Sequence, residues 1–202
     1  MRVALLVVIA AALAALPRPA RADDLRGDYK VWQDAELRVD ADGPSFHLAT
    51  IDGARADHPA ATFAVHVIGV RGKLVEVEPA CGSSLRGRGL AHVRLLVARA
   101  DLLARPLKVD PACKDLAVGI DDSPLAEGRD AIPVGTELTT VSGRVVATVA
   151  APIVVNLVPG AKRVCVDRDV VLDGASSAAI RVCAPARAVR RGGATTQHLT
   201  TR

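Results

Sequence analysis

Short runs of alternating apolar and polar residues follow one another along this chain, and most of them end at glycine, proline or aspartate. A period of two places successive side chains on opposite faces, which is typical of a half-buried β-strand. Helical periodicity is poor, apart from one helical turn that we expect to start at residue 101. The pattern predicts an all-β protein with strands near residues 29–32, 36–39, 46–51, 62–69, 73–78, 93–97, 137–141, 144–149, 153–158, 163–166, 170–172 and 180–183.

Two hairpins follow from the same pattern. The valines of two successive strands share one face if a three-residue loop, 70–72, joins the strands and leaves Gly72 in the left-handed conformation. This register places His66 opposite Glu76 on the outer face. The dipeptide Ser142-Gly143 predicts a second tight hairpin.

Alternation is weak between residues 104 and 133, where prolines and aspartates cluster. We therefore predict two small β-rich halves, 23–105 and 106–184, the first a small barrel and the second a β-sandwich or barrel. The glycine- and arginine-rich segment 86–89 is expected to be a mobile surface loop. Residues 185–202 contain arginines and no acids, which predicts a disordered basic tail.

The first 22 residues have the pattern of a secretory signal peptide. Arg2 precedes an uninterrupted apolar run over residues 3–16, and Ala20-Arg21-Ala22 offers the small residues that a signal peptidase reads. The apolar run is shorter than the roughly 20 residues that a helix needs to cross a bilayer. We therefore expect an exported mature chain, periplasmic or extracellular, that starts near Asp23 and has no transmembrane segment.

Composition narrows the classes of partner. The formal net charge is +4, but it falls to near neutrality without the arginines of the signal segment, so no basic surface for nucleic acid is expected. Aromatic residues make up only 2% of the chain. Because stacking on sugars and bases depends on aromatic rings, Tyr29 and Trp32 are possible ligand contacts, although the same rings could instead fill a small core.

The four cysteines form an even set, which in an exported chain predicts two structural disulfides. The local pairing joins Cys81 to Cys113 and Cys165 to Cys183. Alternation around the second pair points both sulfurs to the polar side of two strands that can lie side by side. The chain contains no C-x-x-C motif, which would indicate a redox pair, and no spacing of cysteines and histidines that is typical of a zinc site.

The first half, about residues 29–104, resembles bacterial SH3-like domains. The resemblance rests on Leu37-Arg38-Val39 as the opening strand, Gly72 to Val77 as the central piece, and the stretch from Val93 to Val97 with the following Ala100-Asp101-Leu102 as the close. Leu74 stands where these domains have tryptophan. The resemblance implies a small barrel that binds cell-wall peptides or protein partners, and it carries over no ligand residue.

Motifs for catalysis are missing, since the chain has no G-x-S-x-G, no H-E-x-x-H and no phosphate-binding glycine loop. We expect no cofactor. His47, His66 and His92 fall in or beside separate strands and could in principle converge on a metal ion. They are the only motivation for an unrecognised hydrolase or metal-binding protein.

The leading hypothesis is a non-catalytic envelope protein that binds a cell-wall component or an envelope protein through its first half. The alternative is a structural or assembly subunit whose exposed strand edges pair with another chain.

Overall fold

A computed structural model describes residues 25–103, 107, 128–173 and 177–192. The predicted all-β class is confirmed, because these residues form strands, turns and three short 3-10 helices, Arg55–Asp57, Arg99–Asp101 and Ala186–Ala188. The predicted signal segment, 1–22, lies outside the described residues. The strands are β1 (Gly27–Trp32), β2 (Leu37–Arg38), β3 (Ser45–Phe46), β4 (Thr62–Arg71), β5 (Leu74–Pro79), β6 (Leu85–Gly87), β7 (Leu90–Ala91), β8 (Leu95–Ala98), β9 (Asp130–Ile132), β10 (Glu137–Thr139), β11 (Val145–Val149), β12 (Ile153–Val154), β13 (Arg163–Leu172), β14 (Ser177–Pro185) and β15 (Arg190–Arg191).

The first sheet contains six antiparallel strands in the order β1-β4-β5-β8-β2-β3. Its inner face follows the alternation seen in the sequence, since Val31, Val65 and Val75 have no exposed surface. Burying a valine side chain stabilises the fold by roughly 1.5–3 kcal/mol. This face provides much of the core that holds the sheet in place.

The loop predicted between β4 and β5 was one residue too long. Arg71 pairs with Leu74, so the loop has only two residues, and Gly72 adopts a φ of 64° as expected for its left-handed position. A bulge at Ile68 inserts the extra residue instead, because Val67 pairs with Val77 while Gly69 pairs with Glu76. One extra residue in a strand corrects the alternation in the same way as one extra residue in the loop.

The second sheet is a closed barrel with the strand order β10-β11-β7-β6-β13-β14. The predicted hairpin at Ser142-Gly143 connects β10 to β11, and Gly143 has a φ of 99°. The expected mobile loop at 86–89 was wrong, since β6 and β7 close the barrel by pairing with β13 and β11. Leu85 and Leu90, only 2% and 5% exposed, anchor this segment in the core.

One crosslink lies inside the barrel. Cys165 and Cys183 are direct cross-strand partners and form the predicted disulfide, with their Cα atoms 4.0 Å apart. Cys183 was expected on the polar side of its strand, but it is fully buried and lies between Cys165 of β13 and Thr139 of β10. Cys81 is also disulfide-bonded, and its predicted partner Cys113 lies outside the described residues.

The two strands predicted at 163–166 and 170–172 are one continuous strand, β13. Its ten residues pair with β14 over nine positions, from Arg163 opposite Pro185 to Val171 opposite Ser177. The polar sequence Asp167-Arg168-Asp169 interrupts the apolar pattern without interrupting the strand, because all three residues keep their backbone pairing with β14.

A small third sheet has the order β12-β9-β15. The disordered tail predicted from residue 185 was wrong for residues 185–192, because Arg190 and Arg191 pair with β9. Gly192 continues this contact by exchanging backbone hydrogen bonds of 2.9 Å with Gly128 and Arg129. Residues 193–202 lie outside the described residues.

The three sheets share one hydrophobic core. The predicted boundary between the halves falls on residues 104–106, which lie outside the described residues. The barrel contains strands from both predicted halves, because β6 and β7 belong to the first half. The described residues contain no helix with the length and hydropathy that a membrane-spanning helix requires.

Candidate functional site

A cleft with a volume of about 1040 Å³ lies where the first sheet meets the β10–β11 hairpin. Its lining consists of the loop 40–43, the outer face of β4, β5 and β8 with Arg94 just before β8, and the hairpin turn 141–145. Two exposed apolar side chains lie in this lining, Ile68 (40% exposed) and Val141 (67% exposed).

A buried carboxylate lies beneath this cleft. Val75 and Val77 point to the core, so alternation directs Glu76 to the opposite face of β5. The β10–β11 hairpin covers that face, and Glu76 is therefore only 6% exposed. A buried carboxylate is costly unless it is paired and hydrogen-bonded, and two arginines provide this compensation.

Arg144 and Arg71 bind the two oxygens of Glu76. The Arg144 Nη1 donates to Oε1 at 2.8 Å, and the Arg71 Nε donates to Oε2 at 2.9 Å. The Arg144 side chain is 11% exposed, whereas that of Arg71 is 55% exposed. The sheet-to-barrel pair of Glu76 with Arg144 is thus nearly removed from water.

Arg144 also binds backbone oxygens of the first sheet and its loops. Its Nε donates to the Val39 carbonyl at 2.7 Å, its Nη2 also donates to that carbonyl, and Nη2 donates to the Arg94 carbonyl at 3.0 Å. Burial lowers the pKa of Arg144, while the charges of Glu76 and Asp40 oppose this change. Through these hydrogen bonds, Arg144 links the β10–β11 hairpin to the first sheet and to the loop that follows β2.

Asp40 completes this connection from the loop side. Its Oδ1 accepts hydrogen bonds from Ser142 Oγ at 2.9 Å and from Thr140 Oγ1 at 3.2 Å. It also lies 3.8 Å from the Arg144 Nε. The loop and the hairpin turn are held together by side chains separated by about a hundred positions in the chain, which fixes the width of the cleft.

Arg94 differs from the other two arginines of the cleft. Its backbone is fixed, since its N–H donates to the Val146 carbonyl at 2.7 Å and its carbonyl accepts from Arg144. Its buried Nε has no hydrogen-bond partner, and its guanidinium makes no ion pair within the described residues. Asp42, an exposed residue of the cleft lining, likewise forms no ion pair with any described residue.

The two aromatic residues singled out in the sequence lie elsewhere. Tyr29 is only 7% exposed and belongs to the hydrophobic core. Trp32 is partly buried, and the Arg55 guanidinium lies 5.8 Å from its ring centroid. Arg55 is held there by Asp34 at 2.9 Å and Asp101 at 2.7 Å. Neither ring lines the cleft.

The three strand histidines are only partly brought together. His47 Nδ1 lies 2.9 Å from the Asp34 carbonyl oxygen. His66 pairs with Asp28 at 2.7 Å and lies opposite Glu78 in the sheet, and His92 lies 3.6 Å from the same glutamate. In the described part of the chain, no three His, Cys, Asp or Glu side chains are arranged to hold a metal ion.

Sequence reasoning missed the residues that build the cleft. It placed Glu76 on an exposed face opposite His66, whereas the bulge at Ile68 pairs Glu76 with Gly69. The sequence shows Glu76 as a charged residue between two valines. This pattern indicates that one face of the strand is apolar, but it does not indicate whether another segment covers the opposite face. Arg144 and Arg94 carry no local pattern that distinguishes them from solvated arginines.

The chain matches no protein-family model, no curated protein and no solved structure. The SH3-like resemblance of the first half therefore stays a prediction. The fold and the cleft define an all-β protein with a closed six-stranded barrel, one cross-strand disulfide within that barrel and a polar cleft beside it.

Proposed function

We propose that this protein is an exported, non-catalytic binding module of the bacterial envelope, and that its ligand occupies the cleft between the first sheet and the β10–β11 hairpin. The observation that carries the proposal is the cleft itself, about 1040 Å³ in volume. Pockets that bind small molecules have volumes of roughly 300–1,000 Å³, and this cleft lies at the upper end of that range. The signal-type N-terminus and the disulfide support an oxidising compartment outside the cytosol.

The composition of the cleft supports a ligand that has both polar and apolar groups. Charged side chains of both signs are combined with the apolar Ile68 and Val141. A cell-wall peptide or a segment of an envelope protein has this mixed character. The walls are fixed by buried hydrogen bonds of Arg144, so binding would require little ordering of the protein and would lose little affinity to that cost.

The test is to fill the cleft without disturbing the core. Val141→Trp adds bulk at a turn position that is 67% exposed and lines the cleft, while Val158→Trp makes the same change at a position that is 66% exposed and outside it. Soluble peptidoglycan fragments and a solubilised envelope-protein fraction are titrated into each variant by calorimetry.

We expect the unsubstituted protein and Val158→Trp to bind one of these preparations equally, and Val141→Trp to lose at least about tenfold in affinity, or about 1.4 kcal/mol. Circular dichroism must show the same folded signal for all three proteins. Absence of binding to both preparations, or equal binding by both variants, would refute the cleft as the ligand site.

A second candidate function is that of an assembly subunit, and the edge of the third sheet favours it. The described structure pairs β12 with β9 on one side only, and Val154, an apolar residue that is 50% exposed, lies on this edge strand. Such edges can add a strand from another chain. Light scattering that shows a dimer, abolished by Val154→Lys, would support this candidate, and a monomer at all concentrations would remove it.

A further inference from the structure

We infer that Arg94 anchors a free carboxylate of the ligand, and this inference rests on the function proposed above. The first argument is the charge inventory of the cleft. Arg71 and Arg144 both bind Glu76, and Arg144 also lies near Asp40. Arg94 is the cation of this lining that forms no ion pair with a described residue.

The second argument is the buried donor of Arg94. Its Nε is shielded from solvent and has no hydrogen-bond partner in the described structure. Buried polar groups nearly always have a partner, and each exception calls for an explanation. A guanidinium is always charged and presents its donors in a planar fork that matches a carboxylate. Because Nε itself is closed to solvent, a carboxylate in the cleft would bind the terminal nitrogens of the same guanidinium and balance its charge.

The third argument is that Arg94 is held in place from both sides of its backbone. Its N–H binds the Val146 carbonyl of the barrel, and its own carbonyl accepts from Arg144. The residue therefore sits at the junction of sheet and barrel independently of its guanidinium. This arrangement leaves the side chain available for a ligand, because the fold does not depend on its hydrogen bonds.

A monoanionic carboxylate fits the cleft better than a phosphate. One unpaired guanidinium balances one negative charge, and the acidic side chains of Asp40, Asp42 and Glu76 line the same cleft. A dianion would be repelled by these carboxylates. The unpaired, exposed Asp42 adds a place for an ammonium group, so the chemistry fits a short peptide with a free carboxyl group and a free amine.

The experiment compares soluble peptidoglycan fragments with the same fragments after chemical conversion of their carboxyl groups to amides. Each preparation is titrated into the unsubstituted protein, Arg94→Gln and, as a matched control, Arg181→Gln. Arg181 lies outside the cleft, has a side chain that is 61% exposed and pairs with Asp167. Inorganic phosphate and acetate are added in turn as competitors.

Charge-assisted hydrogen bonds of this kind predict a loss of about 10- to 100-fold when either partner is removed. We expect amidation to weaken binding to the unsubstituted protein and to Arg181→Gln by this factor, and to have no further effect on Arg94→Gln. Acetate should compete better than phosphate. The melting temperature of Arg94→Gln should be unchanged, since its guanidinium makes no contact on which the fold depends.

The outcomes separate this inference from the proposed function. Binding that is abolished by Val141→Trp but unchanged by Arg94→Gln or by amidation would overturn the role of Arg94 and leave the cleft as the site. Stronger competition by phosphate than by acetate would overturn the assignment to a carboxylate. An affinity for the fragments that is unchanged by every substitution in the cleft would overturn both proposals.

Discussion

Replacing Arg144 with methionine should be among the most destabilising single changes at a charged residue of this protein. Methionine keeps much of the volume of the side chain but removes the donors that bind Glu76, the Val39 carbonyl and the Arg94 carbonyl. Glu76 would remain buried with Arg71 as its remaining cation, and two carbonyl groups would lose a donor. Breaking a buried ion pair by removing one partner costs about 3–5 kcal/mol.

The assay is urea unfolding followed by circular dichroism and by the fluorescence of Trp32, the single tryptophan. For a chain of this size, a loss of about 3–5 kcal/mol corresponds to a melting temperature lower by roughly 6–20 °C. Arg163→Met is the matched control, because Arg163 also donates three hydrogen bonds, to Val141, Thr139 and Thr140, but from an exposed position. We expect it to cost about 1 kcal/mol or less.

Equal losses for the two arginine variants would refute the reasoning, because burial would then not explain the effect. A loss of under about 1 kcal/mol for Arg144→Met would refute it as well. The double variant with Glu76→Gln tests the pair directly: once the arginine is gone, removing the charge of Glu76 should restore part of the lost stability.

The remaining predictions concern the covalent link and the packing of the barrel. Replacing both Cys165 and Cys183 with alanine should reduce the free energy of unfolding by about 3 kcal/mol, because the disulfide closes a loop with a sequence separation of 18. Denaturant unfolding measures this loss, and an unchanged unfolding midpoint would contradict the prediction. Gly87→Ala should cost about 1–3 kcal/mol, since its Cβ would lie 2.6 Å from a methyl group of Val93 and 2.8 Å from the Cβ of Leu90. Gly69→Ala is the control, because a Cβ there meets nothing within 4 Å, and similar losses for both glycine variants would argue against crowding in the barrel.

Local pattern was sufficient for the elements that depend on near neighbours in the chain. Alternation predicted most of the long strands, and the left-handed position of Gly72 followed from the need for a tight turn. The pairing of Cys165 with Cys183 was also accessible, because two valine-flanked cysteines in neighbouring strands can face each other. These features depend on side-chain direction within one strand or one hairpin.

The sequence could not predict where an element finds a partner far along the chain. Residues 85–91 carry only two leucines in a glycine-rich stretch, yet they close the barrel because β11 and β13 offer free edges there. The sequence of residues 190–191 is typical of a solvated tail, but in the structure these residues pair with the backbone of β9. Edge pairing satisfies backbone groups irrespective of side chains, so composition gives little warning of it.

By itself, then, the sequence determined which faces of the strands are apolar, where the chain turns and which cysteines of the barrel can meet. Tertiary structure alone decided that the polar face of β5 is covered, and so turned Glu76 from an expected surface residue into a buried one. It also decided that Arg144 neutralises this charge while Arg94 does not take part. The physical reason is that alternation fixes the direction of a side chain relative to its own strand, whereas burial and charge pairing depend on the segment that packs against it.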